Sequence, residues 1–404
     1  MFNNHLCLSS IVLFLILKFA ITLPRNFKTI TSTQSAWSST GSMKFDRSSH
    51  TATVLNNGKV LVTGGWGGND LISQIKYELY DPSTGNWRHA ADIHDRRLDH
   101  TSSLLTNGTV LIAGGWYEDA STEQYVIASA ELYDPRRNVW LKVDSMQDGR
   151  AWHTASVLPN GKILVTGGID VFGVTIDKCE LYDPLARKWS RTSSMHFPRY
   201  SHTATVLSNG KILVIGSAGG PESQITELYD PLTGNWSIGA SLNIGRYRHA
   251  ATLLINGQVL ITGGTSDSVT PLASAELYDP TMNNCTIINS MHGARALHQA
   301  TLLMNGQILV TGGNVDASYP GPNSELFDLS TKNWTITDSM HDNRDTHTAS
   351  ILPNGKVLVA GGMGSWYNTF SSAELYDPTT RNWTNVTNTF VVIQEHTASM
   401  RVRV

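Results

Sequence analysis

Short runs of apolar residues, separated by turn-forming residues, recur along the whole chain. The pattern is clearest in residues 344–383, where it predicts four short strands: HTASIL, KVLVA, SAELYD and a fourth that begins at Trp383. HTASIL alternates Ala and Ile against Thr, Ser and Leu, which suits a strand with both faces covered. Asn354 and Gly355 separate the first two runs, and Asn-Gly between apolar runs favours a β-hairpin because both turn residues need positive φ. The unit is therefore predicted to be a four-stranded antiparallel meander.

The same unit occurs seven times, with a period of about 49 residues that indicates a propeller or solenoid array. Full repeats open near residues 47, 97, 150, 199, 246, 295 and 344. All seven contain Asn-Gly and Glu-Leu-Tyr/Phe-Asp, six contain Gly-Gly, and six have a late Trp that Cys285 replaces in the fifth repeat. A single meander cannot bury both of its faces, so the repeats must pack against one another. We expect the fifth repeat to be the least stable, because a buried Trp removes roughly 150–250 Å² of surface from water.

Gly-Gly, a spaced Glu-Leu-Tyr-Asp-Pro, a Trp, and an Arg before the next unit together resemble the kelch repeat, from Arg47 to Trp383. The fold of that family is a β-propeller of six or seven blades, and seven uninterrupted units imply seven. The resemblance therefore implies an all-β fold, a seven-bladed β-propeller of four-stranded antiparallel blades of the kelch type. The wording NGKVLVTGG at residues 57–65 is most similar to the galactose-oxidase-like, extracellular branch.

The ends of the chain differ from the repeats. Residues 1–23 are apolar and predict a signal peptide or an N-terminal anchor, and residues 24–36 form a short Ser/Thr-rich linker. The propeller is predicted as a single domain over residues 37–404. Residues 37–43 match the fourth-strand phrase and residues 396–400 match a first strand. These half-units either share one blade that closes the ring, or are remnants of an eighth repeat.

Composition narrows the class of partner. Charged residues are 16% of the chain and the formal net charge is −3, so we expect neither nucleic acid nor an anionic membrane surface as a partner. A membrane becomes a partner only if the N-terminal leader is uncleaved. Three cysteines are too few for a disulfide framework, and Cys179 and Cys285 are expected to be unpaired. We expect a monomer.

Sequons for N-glycosylation accompany the leader. They occur at Asn107, Asn235, Asn284, Asn333, Asn382 and Asn385. Turns rich in Asn and Thr also produce such sequons by chance. Together with the leader, they favour a secreted, extracellular protein, with a membrane-anchored propeller outside the cell as the alternative.

A meander propeller has two unlike faces. The turn between strands one and two and the turn between strands three and four lie at one end, here called the turn face, where every turn is short. The loops between strands two and three lie at the other end, the loop face, and vary freely. Because binding commonly resides in loops on a rigid scaffold, we place the ligand, an unknown protein or glycan, on the loop face. The candidate binding residues are Trp66, Asp70, Trp116, Tyr117, Asp170, Tyr319, Trp366 and Tyr367.

An Arg-x-x-His motif opens every repeat. It places one histidine at the start of each innermost strand: His50, His100, His153, His202, His249, His298 and His347. Imidazole is a common metal ligand, but a metal takes three or four ligands from a compact cluster rather than one from each blade. We therefore interpret these histidines as structural, bonded to backbone groups and to the repeated Glu, with the Arg bridging adjacent blades. No metal site, cofactor or catalytic residue is expected.

The resemblance also raises an enzymatic alternative, a copper-radical oxidase similar to galactose oxidase. That chemistry implies a Cys cross-linked to a Tyr, a second Tyr directly followed by a His, and one more His. This sequence contains no Tyr-His dipeptide, and no residues remain for the further domain of an intracellular adaptor. The sequence therefore favours a non-catalytic secreted binding scaffold.

Overall fold

In the computed structural model of the chain, six of the seven predicted units fold as four-stranded antiparallel sheets, and the seventh forms such a sheet with the strand Trp37–Ser39. The structure describes residues 37–67, 76–119, 123–218, 220–267, 269–315, 321 and 323–380. Several predictions lie outside this part: the leader (1–23), the linker (24–36), the half-unit 396–400, and residues Asp70, Tyr319, Asn382, Trp383 and Asn385. Among the described residues, no helix is long and apolar enough to cross a membrane.

The seven sheets are numbered as blades in the order of their innermost strands. Blade 1 comprises Thr51–Val54, Val60–Thr63, Tyr77–Asp81 and Asn86–His89, and blade 2 comprises Thr101–Leu104, Val110–Ala113, Ala130–Asp134 and Val139–Val143. Blade 3 comprises Thr154–Val157, Ile163–Thr166, Cys179–Asp183 and Lys188–Arg191, and blade 4 comprises Thr203–Val206, Ile212–Ile215, Ile225–Asp230 and Asn235–Ser241. Blade 5 comprises Ala250–Leu253, Val259–Thr262, Ala275–Asp279 and Asn284–Ile288, and blade 6 comprises Gln299–Leu302, Ile308–Thr311, Ser324–Asp328 and Asn333–Thr337. Blade 7 comprises Thr348–Ile351, Val357–Ala360, Ala373–Tyr376 and, from the other end of the propeller, Trp37–Ser39. A two-stranded hairpin, Trp116–Glu118 with Gln124–Val126, and two short 3₁₀ turns, Pro221–Gln224 and Ser365–Tyr367, lie in loops.

The sheets close into a ring. The innermost strand of each blade contacts the innermost strand of the next, and that of blade 7 contacts that of blade 1. The second strand of every blade is buried along its whole length, because the neighbouring blades cover both faces of the sheet. Between blades 1 and 2, for example, Leu79 and Tyr77 pack with Val110, Tyr133 and Trp140. The prediction of a seven-bladed, all-β propeller is confirmed.

The ring is closed by the strand that precedes the first repeat. Trp37 pairs with Tyr376 and Ser39 with Glu374 in the antiparallel register of an outermost strand. The Trp37 side chain is fully buried, its ring lies 5.2 Å from that of Tyr376, and its Nε1 donates to the Asp338 carbonyl at 2.9 Å. The half-unit at 37–43 therefore shares a blade with the last repeat. Trp37 holds the outer-strand position that the repeat pattern assigned to Trp383.

The arginine of the Arg-x-x-His motif acts within its own blade. Arg150 donates from Nη2 to Glu180 Oε1 at 2.9 Å and from Nη1 to the carbonyls of Gly167 and Lys178 at 3.0 and 2.8 Å, all within blade 3. The prediction that this side chain bridges adjacent blades is wrong. Only the backbone does so, since the Arg199 carbonyl of blade 4 accepts from the Gly168 N–H at 2.7 Å. The reason is steric: the guanidinium is enclosed by its own sheet and connecting segment.

The histidine of the motif is the side chain that joins blades. His202 Nε2 lies 3.0 Å from Thr154 Oγ1 and 3.1 Å from Thr166 Oγ1, both in the preceding blade. The expected partner, the repeated Glu, bonds instead to exposed histidines of the connecting segments: His94, His196, His292 and His341. A histidine–threonine contact near the axis therefore joins each blade to the preceding one.

Candidate functional site

Seven residues with positive φ surround the propeller axis on the loop face. They occupy the position before the histidine of each Arg-x-x-His motif, with φ between 48° and 57°: Ser49, Asp99, Trp152, Ser201, Arg248, Leu297 and Thr346. The backbone N–H of Asp99 donates to the Ser49 carbonyl at 3.1 Å, and the N–H of Trp152 donates to the Asp99 carbonyl at 3.3 Å. The same bond links successive members as far as Thr346. We call the opening inside this ring the axial mouth.

Left-handed backbone is costly for bulky and β-branched side chains such as those of Trp152 and Thr346. The inter-blade hydrogen bonds require it, because each N–H must point at the carbonyl of the preceding blade. The sequence carried one signal for these positions that was missed. They vary from repeat to repeat inside a motif whose Arg and His do not, so their side chains are free to serve binding.

Three aromatic rings from successive blades form one wall of the mouth. Trp116, from the hairpin of blade 2, lies 6.0 Å from Trp152, which lies 6.5 Å from Tyr200. All three side chains are half-buried. Asp99 Oδ2 accepts a hydrogen bond from Trp116 Nε1 at 2.8 Å, which fixes the orientation of that indole. The wall thus presents rigid apolar faces next to polar edges.

Burial raises the pKa of the Asp99 carboxyl above its ordinary value. Hydrogen bonds from the Trp116, Ser49 and Trp152 side chains stabilise the carboxylate and oppose that rise, as does the positive charge of Arg248. Asp99 therefore serves first to position the aromatic wall.

The other side of the mouth is charged. Asp345 is 3% exposed, burial raises its pKa to about 6, and its Oδ1 accepts from Thr346 Oγ1 at 3.0 Å. Arg248 is exposed and lies with its guanidinium carbon 5.5 Å from the centre of the Tyr247 ring. Its charge opposes the pKa rise of both Asp99 and Asp345, which belong to blades 2 and 7. The guanidinium of blade 5 therefore acts across the mouth, and the site offers donors, acceptors and aromatic faces together.

The structure distributes the predicted binding residues over several places. Trp116 lies in the mouth, and Trp66 is half-buried beside it, exchanging backbone hydrogen bonds with Ser48 at 2.8 Å. Trp366 and Tyr367 lie in a loop of blade 7, 84% and 76% exposed. Asp70 and Tyr319 are outside the described residues.

Tyr117 and Asp170 have local partners. The Tyr117 ring stacks on Tyr125 at 5.1 Å and borders a cleft of about 610 Å³ that also contacts His94 and Arg96. The Asp170 carboxylate accepts from the backbone N–H groups of Phe172 and Val174 at 2.9 and 3.0 Å, so it organises its own turn. Neither residue reaches the axial mouth by a contact that the described part of the chain shows.

The seven signature histidines are buried and engaged. Burial lowers the pKa of each, and the neighbouring arginine of the same motif lowers it further. Their Nε2 atoms bond to threonine hydroxyls of the preceding blade, as in His249 with Thr203 at 2.8 Å. Across the residues that the structure describes, no three His, Cys, Asp or Glu side chains form a group that could hold a metal ion.

The residues present do not fit the copper-radical chemistry that the resemblance raised. Cys179 and Cys285 are unpaired, as predicted. Cys179 is buried in the third strand of blade 3 and Cys285 lies in the outer strand of blade 5, and burial raises the pKa of both thiols to about 12. Neither cysteine lies in a loop at the propeller axis, where a Cys–Tyr pair beside a copper ion would be required.

Four sequons fall within the described residues, and all four asparagines are exposed: Asn107, Asn235, Asn284 and Asn333. Asn235, Asn284 and Asn333 each begin an outer strand, and Asn107 lies in an Asn-Gly turn. All four positions are at the turn face. Glycans there would leave the axial mouth uncovered.

Comparison with known proteins agrees with this architecture. The kelch motif matches the chain at residues 153–196, 246–292 and 346–389. A fungal alcohol oxidase of the AA5 family, solved in complex with copper, is similar over 83% of this chain and 75% of its own, with a TM-score of 0.67 and 20% identity. The structure of YjhT is similar over 83% of this chain and 96% of its own, with a TM-score of 0.53 and 14% identity. No curated protein sequence matches the chain.

The protein is therefore an all-β propeller of seven four-stranded antiparallel blades. Three of its repeats match the kelch motif. At identities of 20% and 14%, its likeness to the oxidase and to YjhT concerns the fold alone.

Proposed function

We propose that this chain is a non-catalytic, secreted binding scaffold that holds a glycan at the axial mouth. One observation carries the proposal: the rings of Trp116, Trp152 and Tyr200 lie in series on one side of a mouth whose other side carries the charged side chains of Arg248 and Asp345. The leader and the exposed sequons support secretion.

The chemistry of the mouth favours a glycan over a protein, the two ligand classes expected from the sequence. Sugar hydroxyls both donate and accept, so they suit a carboxylate such as Asp345 and a guanidinium such as Arg248 at once. The C–H face of a sugar ring suits an indole held with its edge hydrogen-bonded. The mouth is bordered by one residue from each of the seven blades, whereas protein interfaces of standard size involve roughly 20–30 residues on each partner.

Removing either indole of the wall is expected to abolish most binding. On a glycan array, Trp116→Ala and Trp152→Ala should each weaken the best ligand by roughly tenfold or more, because a stacked aromatic contributes about 0.5–1.5 kcal/mol beyond its buried area. Trp366→Ala, at a side chain that is 84% exposed and not part of the aromatic wall, is the matched control and should leave glycan affinity unchanged. Thermal melts of all three variants establish that they are folded.

Two results would overturn the proposal. If Trp366→Ala weakens binding as much as Trp116→Ala and only protein ligands are captured, the ligand is a protein held by the outer loops. Stoichiometric copper in the purified protein together with oxidase activity would establish the enzymatic alternative.

Secretion has its own test. Expressed in a eukaryotic secretory host, the protein should appear in the medium and gain mobility after N-glycosidase treatment, since four described sequon asparagines are exposed. Replacing Asn235, Asn284 and Asn333 with Gln should remove most of that shift. Retention inside the cell without any shift would contradict secretion.

A further inference from the structure

The turn face departs from its own repeat in blades 5 and 6. In blades 1, 3, 4 and 7 a lysine after the Asn-Gly turn pairs with the aspartate that ends the third strand: Lys59–Asp81 at 2.7 Å, Lys162–Asp183 at 3.1 Å, Lys211–Asp230 at 3.2 Å and Lys356–Asp377 at 3.1 Å. In blade 2 the position is Thr109, and Asp134 pairs instead with Arg137 at 3.8 Å. Blades 5 and 6 carry Gln258 and Gln307 in that position. Among the described residues, Asp279 and Asp328 consequently have no ion pair.

These two aspartates are ionised. Hydrogen bonds, the first from the Thr281 hydroxyl, lower the pKa of Asp279 to about 2. The Ser330 hydroxyl lowers that of Asp328. Gln258 Nε2 donates to Asp279 Oδ2 at 3.0 Å, which satisfies an oxygen without neutralising its charge. Two uncompensated negative charges therefore lie on adjacent blades.

Exposed apolar side chains accompany these charges. Ile255, Met282 and Met304 are 73%, 72% and 69% exposed. Ile255 lies against Gly306 of the next blade, so it flanks the same turn as Met304. A cleft of about 480 Å³ lies on the blade 4 side of Ile255 and Asp279, where Ser208 and Asn209 complete its border. We call Ile255, Met282, Met304, Asp279 and Asp328 the blade 5–6 patch.

We propose that the blade 5–6 patch binds the segment Met400–Val404 of the same chain. The valines of the segment would pack on the apolar side chains of the patch, and its arginines would pair with Asp279 and Asp328. This segment reads Met-Arg-Val-Arg-Val. In an extended conformation, alternate residues point to opposite sides. Ile255 and Met304 belong to the inner turns, and Asp279 and Asp328 end the third strands farther out. An extended segment crossing both blades would therefore direct Val402 inward and Arg401 and Arg403 outward.

The chain is long enough for this contact. The described residues end at Thr380, in the turn that follows the third strand of blade 7, on the turn face and next to blade 6. About 20 residues separate Thr380 from Arg401, and they span at most roughly 70 Å when extended. The distance across two neighbouring blades is roughly 20–30 Å, from sheet packing of about 10 Å and strand spacing of about 4.8 Å. The proposal is independent of the ligand at the axial mouth.

Methionine oxidation measures whether the patch is covered. In the full-length protein treated with dilute hydrogen peroxide, Met304 and Met282 should oxidise slowly despite the exposure that the propeller alone gives them. The variant Arg401→Glu/Arg403→Glu should oxidise at both sites about threefold faster or more, because oxidation follows exposure. Arg401→Lys/Arg403→Lys is the matched control and should behave as the wild type.

A second variant tests the patch from the other side. Gln258→Lys/Gln307→Lys restores the pair that four other blades carry, so the fold is retained while the negative charge is neutralised. It should expose Met304 as strongly as the arginine reversal does. Asn284 begins the outer strand near Met282, and a glycan on Asn284 would itself shield that methionine. The oxidation is therefore measured with and without N-glycosidase treatment. Unchanged oxidation of Met304 in both variants would overturn the proposal. Protection that disappears when the protein is diluted would also overturn it, because the contact would then be with a second copy of the chain.

Discussion

Mild acidification is expected to unfold this propeller, with a sharp loss of stability between pH 6.5 and pH 5. All seven signature histidines are at most 6% exposed, and burial, together with the adjacent arginine, holds their pKa values well below the ordinary one, to about 3 for His153, His202, His249 and His347. In the unfolded chain the same side chains take up protons near pH 6.5.

The direction of this effect follows from the protons bound by each state. Below pH 6.5 the unfolded chain binds more protons than the folded one, so the free energy of unfolding falls as the pH falls, until the folded histidines themselves protonate. Each histidine contributes up to about 1.4 kcal/mol per pH unit, so seven approach roughly 10 kcal/mol per unit, comparable with the whole stability of a typical domain. Three described side chains oppose the trend. Burial raises the pKa of the Asp99 carboxyl and raises that of Asp345 to about 6, and a hydrogen bond to Glu374 raises the pKa of His341. Each holds its proton more tightly in the folded state, so its contribution to stability is present at low pH and lost as the pH rises.

Urea melts at closely spaced pH values give the number of protons taken up on unfolding from the slope of stability against pH. That number should approach about six near pH 5, because Asp345 takes up a proton in the folded state and offsets one of the seven histidines. His153→Gln and His298→Gln should each lower it by about one, besides their direct cost in stability. An uptake of two protons or fewer would contradict the burial of seven neutral histidines.

Substituting Trp37 should destabilise the propeller as strongly as a core mutation, although this residue precedes the first repeat. Its side chain is fully buried against Tyr376 and donates to the Asp338 carbonyl. Trp37→Ala should lower the free energy of unfolding by about 3–5 kcal/mol, because it leaves a large cavity where the two ends of the propeller meet. Chemical denaturation measures the change.

Two controls make this test specific. Trp140→Ala, at the same slot of blade 2 and 6% exposed, should cost about as much. Trp383→Ala, at the position that the repeat pattern favoured, should change stability by no more than about 0.5 kcal/mol. If Trp383→Ala proved costly and Trp37→Ala neutral, the ring would be closed by the last repeat alone and not by the strand Trp37–Ser39.

Both expected results arise from contacts between blades. A histidine–threonine bond near the axis and an indole–carbonyl bond at the rim join successive blades, as in His202 with Thr154 and Trp189 with the Asp144 carbonyl at 2.8 Å. Blade 5 lacks the second of these bonds because Cys285 replaces the tryptophan. The expectation that this blade is the least stable therefore stays a prediction, now with a specific missing contact.

The blade itself was predictable from the sequence. Asn-Gly turns, strands of three to seven residues and the buried Glu depend on neighbours within one repeat. The same pattern recurs seven times, because each blade must bury the same two faces. The unpaired cysteines and the two unlike faces followed from the same local pattern. The partner of the repeated Arg did not, because its choice between its own blade and the next depends on how the sheets pack.

The axial mouth and the closure of the ring were decided by the tertiary structure. Asp99, Arg248 and Asp345 are far apart in the chain and act on one another only because every Arg-x-x-His motif turns toward the same axis. Trp37 and Trp383 carry the same local phrase, so strand propensity cannot choose between them. The choice rests on which strand reaches the open edge of Ala373–Tyr376 once seven blades have closed, and that is a property of the whole ring.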